Sequence, residues 1–330
     1  VSVSDIFKSL VDESSEEILP FTAMPSSSII FYAEVLRKNK NDCSIPINVF
    51  KKFKAINTKV TNAKKIMEDN ALPIAEEIVK CYEKAGGKKA VAVPLTFQNT
   101  KGTRGTHANI LLFNPNGMFA EHFEPHGRKD YGKNDFTWIK LTAVNMKTAV
   151  SKVNTQVKKL AKEKGIKELQ KGFTYLPPVD VCPAESLYKD FKGVQSFDTS
   201  KKEDVTYEGF TIKENAGYCQ AWAYFLLDLR LQTLDKPPQE VLMEYSRKRN
   251  LYKFAIRNDP NKTIMGLIRG YSKIYFNVIK KLINEGKFTL EEFLRYRDIK
   301  KNKDNANFNK ISDILYSVGN QIMEQVMSGS

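Results

Sequence analysis

The chain has 330 residues, 42% of them hydrophobic and 27% charged, the composition of a globular protein able to bury one large core or two modest ones. No apolar run approaches the roughly 20 residues that span a bilayer, and the opening VSVSDIFKSL lacks the layout of a signal peptide, so the expectation is no membrane. The net charge of +14 excludes an acidic surface overall, and nothing in the sequence resembles an RNP motif, a helix-turn-helix or a zinc finger.

Residues 1–85 read as helical. Ser4 is placed to cap a first short helix, Ser26 to Ser28 to cap one running through Arg37, and residues 57–84 carry apolar positions at helical spacing until Gly86-Gly87 closes the region. The period then changes from 3.6 to 2. AVAVPLTF (90–97), HANILLF (107–113) and MFAEHFE (118–124) read as strands. Asn114-Pro115-Asn116-Gly117 is a turn in which Pro presets the second position and Gly accepts the left-handed one. Residues 138–164 are helical with a basic exterior, 173–183 read as a strand ended by prolines, and 192–217 as mostly irregular. From Cys219 to Leu234 the pattern is apolar around most of the circumference, which predicts a central buried helix. Helices follow to the end, with a Thr-type cap at Thr289 and a last amphipathic segment over 305–325.

The charge is patchy: nine basic residues stand between Arg37 and Lys65 against Asp42 alone, and nine between Lys140 and Lys171 against Glu163 and Glu168. Such surfaces attract polyanions without reading sequence, so non-specific nucleic acid or an acidic protein fits as a partner, alongside the plainer reading of a solvated Lys face. The four cysteines, Cys43, Cys81, Cys182 and Cys219, form no CxxC pair. Neither a zinc site nor a disulfide framework is expected, and a reducing compartment fits best.

Only three histidines occur, His107, His122 and His126, all in one hairpin region. No metal or other cofactor is implied, because His122 and His126 lack a ligand partner at suitable spacing. Cysteine chemistry is the stronger reading. A helix N-terminus favours a thiolate, and Cys219 opens its helix after Gly217, which permits close approach. A thiol nucleophile needs a base and the base an orienting group. His107 stands at a strand start. Folding the hairpin about Pro115-Asn116 sets it opposite Glu124, whereas a bulge at Gly117 would shift the register by one and turn Glu124 to the other face.

These residues carry a resemblance. A His at a strand start, an apolar strand, a short turn, then FEPHG (123–127), and later a Gln and a Cys opening a buried helix, resemble the adenain and SUMO-protease group of cysteine peptidases. The stretch Gly217-Tyr218-Cys219-Gln220-Ala221-Trp222, with Arg230 downstream, is closest in style to versions from large DNA viruses. The resemblance covers about residues 90–235. It implies Cys219 as nucleophile, His107 as general base, Glu124 as its orienting carboxylate and Gln195 as oxyanion donor, since an amide N–H₂ can meet a developing negative oxygen without proton transfer. Three positions depart from the pattern: Ala108 stands where many members have Trp, 23 residues separate Gln195 from Cys219, and Gln220 replaces the usual Gly, which makes Gln220 a rival donor.

The sequence is therefore read as α+β: a small mixed or antiparallel sheet packed on a central buried helix that starts at the nucleophile Cys, with added N- and C-terminal helices. Residues 1–85 form an N-terminal helical region, 86–236 a papain-like cysteine peptidase core, and 237–330 a C-terminal helical region packed on it. The implied activity is a cysteine protease or isopeptidase cleaving after small residues, typically Gly, in viral precursor proteins or ubiquitin-like modifiers. Such an enzyme would work in host cytoplasm, a viral factory or the virion, on a polypeptide substrate. The alternative is a catalytically inactive virion-associated structural or nucleic-acid-binding protein on the same fold.

Overall fold

The computed structural model describes residues 24, 26–46, 48–50, 60–98, 106–125, 132–181, 204–213, 218–241, 264–297 and 306–329; Ser4, His126, Cys182, Gln195 and Gly217 lie outside them. Helices α1 (Ser27–Lys38), α2 (Val60–Asp69) and α3 (Ala71–Ala85) precede the sheet. Strands β1 (Val91–Gln98), β2 (Thr106–Asn114) and β3 (Phe119–Phe123) follow, then the long helix α4 (Gly132–Glu163), strand β4 (Thr174–Leu176) and the one-turn helix α5 (Pro178–Val181). Strands β5 (Asp204–Tyr207) and β6 (Phe210–Lys213) precede α6 (Cys219–Leu231). The chain ends with α7 (Ile264–Tyr271), α8 (Lys273–Asn284), α9 (Leu290–Arg297) and α10 (Ala306–Ser328). The fold is α+β: a four-stranded sheet in the order β1-β2-β3-β4, antiparallel except for the parallel β3–β4 pair, among helices. Among the described residues no helix is long and apolar enough to cross a membrane.

Helix α6 is buried along nearly its whole length. Every residue from Cys219 to Arg230 is buried, as a helix apolar all round requires. It packs along β2 and against α1, α7 lies against it, and α10 lies against α1. That last approach is close: a Cβ on Gly319 would lie 2.6 Å from Ile29 Cγ2, so only glycine fits there without displacing Ile29. On the other side of the sheet α2 and α3 pack with α4, and the Asn154 side chain pairs with both the N–H and the carbonyl of Phe173 at 2.8 Å, steering the chain into β4.

Several expectations need correction. Residues 204–213 are not irregular but a tight hairpin, with Tyr207 paired to Phe210 across Glu208-Gly209. Both turn residues take positive φ (46° and 81°), the geometry that suits the twist of two-residue hairpins. Of 173–183 only Thr174–Leu176 is strand, and the chain then turns once as helix from Pro178, where a missing N–H costs nothing. Ser26 does not cap α1 with its side chain. The three serines are fully buried and their hydroxyls reach distant partners, Ser26 to Tyr296, Ser27 to Gln220 and Ser28 to Tyr224 at 2.5 Å, while Ser27 Oγ also pairs with the Met24 carbonyl (2.7 Å) and N–H (3.1 Å). The N-terminal helix is thereby bound to α6 and to α9. The cap expected at Thr289 forms as a reciprocal box, Thr289 Oγ1 accepting from the Glu292 N–H at 3.1 Å and Glu292 Oε2 from the Thr289 N–H at 2.7 Å.

Contrary to the reading of unpaired cysteines, Cys43 and Cys81 form a disulfide across 38 residues of sequence, with Cα atoms 5.5 Å apart. The segment after α1 is folded onto α3 there, and Asp42 beside the bridge takes ion pairs from Lys84 and Lys89. A bridge closing such a loop contributes about 2–4 kcal/mol. Cysteine usage therefore no longer argues for a reducing compartment. The second basic stretch is an outer face of α4, where Lys147, Lys152, Lys158, Lys159 and Lys162 are exposed.

Candidate active site

The site grows from the β2–β3 hairpin. The observed register pairs Asn114 with Phe119 and Ile110 with Phe123, so the loop holds four residues, Pro115 to Met118. Met118, not Gly117, takes the left-handed φ of 54°. Pairing is thus displaced by two residues from a hairpin centred on Pro115-Asn116, and neither that register nor the one-residue bulge applies. Because strand side chains alternate with period 2, a displacement by two keeps each residue on its face. His107, Asn109 and Leu111 lie on one face of β2, and across from Leu111 stands His122. Glu124, two residues past His122, continues that face.

Five polar side chains meet there. His107 Nε2 hydrogen-bonds Glu124 Oε1, and Asn109 Nδ2 donates to Glu124 Oε2 at 2.9 Å. Asn109 Oδ1 pairs with His122 Nε2 at 2.7 Å, and His122 Nδ1 with the Tyr175 hydroxyl at 2.8 Å. The Cys219 thiol hydrogen-bonds the His107 ring. With Nε2 engaged by Glu124, Nδ1 is the nitrogen left for sulfur. Cys219 is the first residue of α6, at the end toward which the N–H groups of the helix point. Cys219 and Glu124 are buried, while the His107 side chain keeps 12% of its surface exposed.

The two described histidines are driven in opposite directions. Burial disfavours the charged form of His107, but the Glu124 charge and the hydrogen bonds from Cys219 and Glu124 outweigh it, and its pKa is pushed up to about 10. His122 is fully buried with no carboxylate in direct contact, so desolvation dominates and its pKa falls to about 4. His107 is therefore held as an imidazolium at neutral pH and His122 as a neutral ring.

At the far end of α6 lies a second polar cluster. Arg230 and Glu121 are both 0% exposed and form a two-pronged pair, Nε to Oε2 and Nη2 to Oε1, each 2.8 Å. Arg230 also donates to the carbonyls of Thr233 (2.8 Å) and Lys236 (3.2 Å), and Asn114 Nδ2 reaches Glu121 Oε1 and the Leu234 carbonyl, both at 3.1 Å.

Of the residues singled out in the sequence, the structure brings Cys219, His107 and Glu124 together. Gln220 turns away from them: Ser27 donates to its Oε1, and its Nε2 donates to the Met24 carbonyl at 3.2 Å. The rival donor is thus engaged with the N-terminal helix. Among the described residues no group of three His, Cys, Asp or Glu could hold a metal ion. Sequence reasoning missed Asn109 and Tyr175. Asn109 carried a signal, being a lone amide two residues from His107 in an otherwise apolar strand, whereas Tyr175 had none.

The chain matches no family model, and no curated protein or solved structure matches it significantly. The likeness to cysteine peptidases rests on the motif residues alone.

Proposed function

We propose that this protein is a cysteine protease or isopeptidase of the adenain and SUMO-protease type. The observation that carries the reading is the hydrogen-bonded series Cys219–His107–Glu124 at the start of a buried helix. In the proposed reaction the Cys219 sulfur attacks the carbonyl carbon of the scissile amide, forming a C–S bond. His107 then gives its proton to the leaving amine as the C–N bond breaks, leaving a thioester. Water attacks the thioester carbon with His107 accepting its proton, the C–S bond breaks, and acid product and thiol are restored. Glu124 holds the ring in place and stabilises its charged form throughout. Gln195 is the proposed oxyanion donor. By resemblance, the bond cleaved follows a small residue, typically Gly, in a viral precursor or a ubiquitin-like modifier, within an infected cell or virion.

The exposed lysines of α4 favour a second reading, an inactive virion-associated or nucleic-acid-binding protein. Alkylation of Cys219 by iodoacetamide, read peptide by peptide by mass spectrometry at about pH 6, separates the two, because only an activated thiol reacts well below its ordinary titration near 8.5. The peptidase reading expects Cys219 to react much faster in the native than in the unfolded chain. Equal rates would overturn it.

A further inference from the structure

The hydrogen bonds behind Glu124 have only one consistent direction. A neutral His122 carries one ring proton, and the Asn109 amide has one donor end and one acceptor end. Asn109 Nδ2 faces the ionised Glu124, which can only accept, so Asn109 Oδ1 faces His122 and must itself accept. His122 Nε2 therefore holds the ring proton, and Nδ1 accepts from the Tyr175 hydroxyl. Every donor in the series Tyr175, His122, Asn109 points toward Glu124, which receives His107 on its other oxygen. Reversing Asn109 would set its oxygen against a carboxylate and its N–H₂ against an N–H. The flip is blocked at both ends. Asn109 and His122 are fully buried, so no solvent competes for these bonds.

We propose that Asn109 is a positioning residue for the Cys219 chemistry, holding the Glu124 carboxylate in the plane of the His107 ring, with His122 and Tyr175 as the relay that fixes the amide's orientation. The proposal rests on the peptidase reading above. His122 itself stays neutral through turnover, because burial holds its pKa at about 4. The charged and titratable groups facing the relay are Glu124 and His107 from the hairpin, Cys219 from α6 and, beyond Tyr175, Asp180 from α5.

The test compares the wild-type chain with Asn109→Ala, Asn109→Asp and Tyr175→Phe. Two quantities are read: the alkylation rate of Cys219 against pH, and the ring titration of His107 by ¹⁵N NMR, where three histidines make assignment direct. Removing a hydrogen bond to a charged group should slow alkylation near neutral pH about tenfold in Asn109→Ala. His107 should at the same time titrate lower, toward the ordinary 6.5. Tyr175→Phe, which removes one oxygen at the end of the relay, should move both in the same direction by about two- to threefold in rate. Asn109→Asp should recover reactivity as the pH falls, because the protonated acid at that position again donates to Glu124. An unchanged His107 titration in folded Asn109→Ala would overturn the proposal, leaving Asn109 a packing residue. If Asn109→Ala does not fold, an unchanged profile in Tyr175→Phe overturns it instead. Failure of the peptidase reading looks different: wild-type Cys219 itself would alkylate no faster than in the unfolded chain.

Discussion

The β2–β3 hairpin presents two buried carboxylates to α6, one near each end of the helix, and their surroundings differ. Glu121 and Glu124 lie three residues apart, the first within β3 and the second just past its end. Cys219 and Arg230 are separated by about 17 Å of helix, and each end of α6 meets one of the two carboxylates. At the Arg230 end the partner is a guanidinium, both charged side chains are fully buried, and the pair ties the helix to the sheet. At the Cys219 end the partner is an imidazole that does titrate, and its edge remains exposed. The same residue type is thus placed beside a sealed guanidinium at one end and beside a partly exposed imidazole at the other.

The largest expected effect breaks the Cys219 end alone. On the proposed peptidase reading, His107→Ala should reduce Cys219-dependent turnover by roughly a thousandfold or more, the size of effect that loss of a catalytic base has in known triads. Stability measured by urea unfolding should change far less than activity. Loss of folding in proportion to activity would show the series to be a second strut, and the contrast between the two ends would collapse.

The next effect breaks the other end. Arg230→Ala leaves Glu121 buried and uncompensated, which should cost about 3–5 kcal/mol in urea unfolding. Replacing both partners, Arg230→Met with Glu121→Leu, should recover part of that loss, since no charge is then stranded. A cost under about 1 kcal/mol for the single change would mean that water reaches the pair, contrary to its complete burial.

How far these ends could be read from sequence depends on which physical signal is local. Helix α6 was legible because burial on all sides leaves an apolar run, and the hairpin because its period is 2 and Asn-Pro-Asn-Gly marks a turn. The register was not, since a two-residue and a four-residue loop share the same turn residues. His107 and Glu124 nevertheless share a face, because a displacement of two preserves parity. Ser26 to Ser28 look like a cap to any local reading, and although Ser27 does bond the nearby Met24 backbone, their side-chain partners Gln220, Tyr224 and Tyr296 are far along the chain. The Cys43–Cys81 bridge was invisible for the same reason: a spacing of 38 residues encodes no contact. The β5–β6 hairpin hid in a polar stretch whose turn begins with Glu208, an uncommon residue for positive φ.

The smallest expected effect sharpens the comparison inside the Cys219 end, where two histidines on one hairpin titrate in opposite senses. His107 is raised from 6.5 to about 10 on folding, so its contribution to stability is fully present below pH 6.5 and is lost as the pH rises toward 10. His122 is lowered from 6.5 to about 4, so between those values the unfolded chain binds a proton that the folded chain refuses, and stability falls as the pH drops from 6.5 toward 4. Each limb has a slope of at most about 1.4 kcal/mol per pH unit, the value for one proton. Other groups titrate as well, so the measurement is a difference between wild type and variant across pH 4 to 10, by urea unfolding at each pH. Relative to wild type, His107→Gln should flatten the alkaline limb only and His122→Asn the acid limb only. If both histidine variants altered the same limb, His107 and His122 would share one titration, and the separation of a charged ring at the thiol from a neutral ring behind it would be wrong.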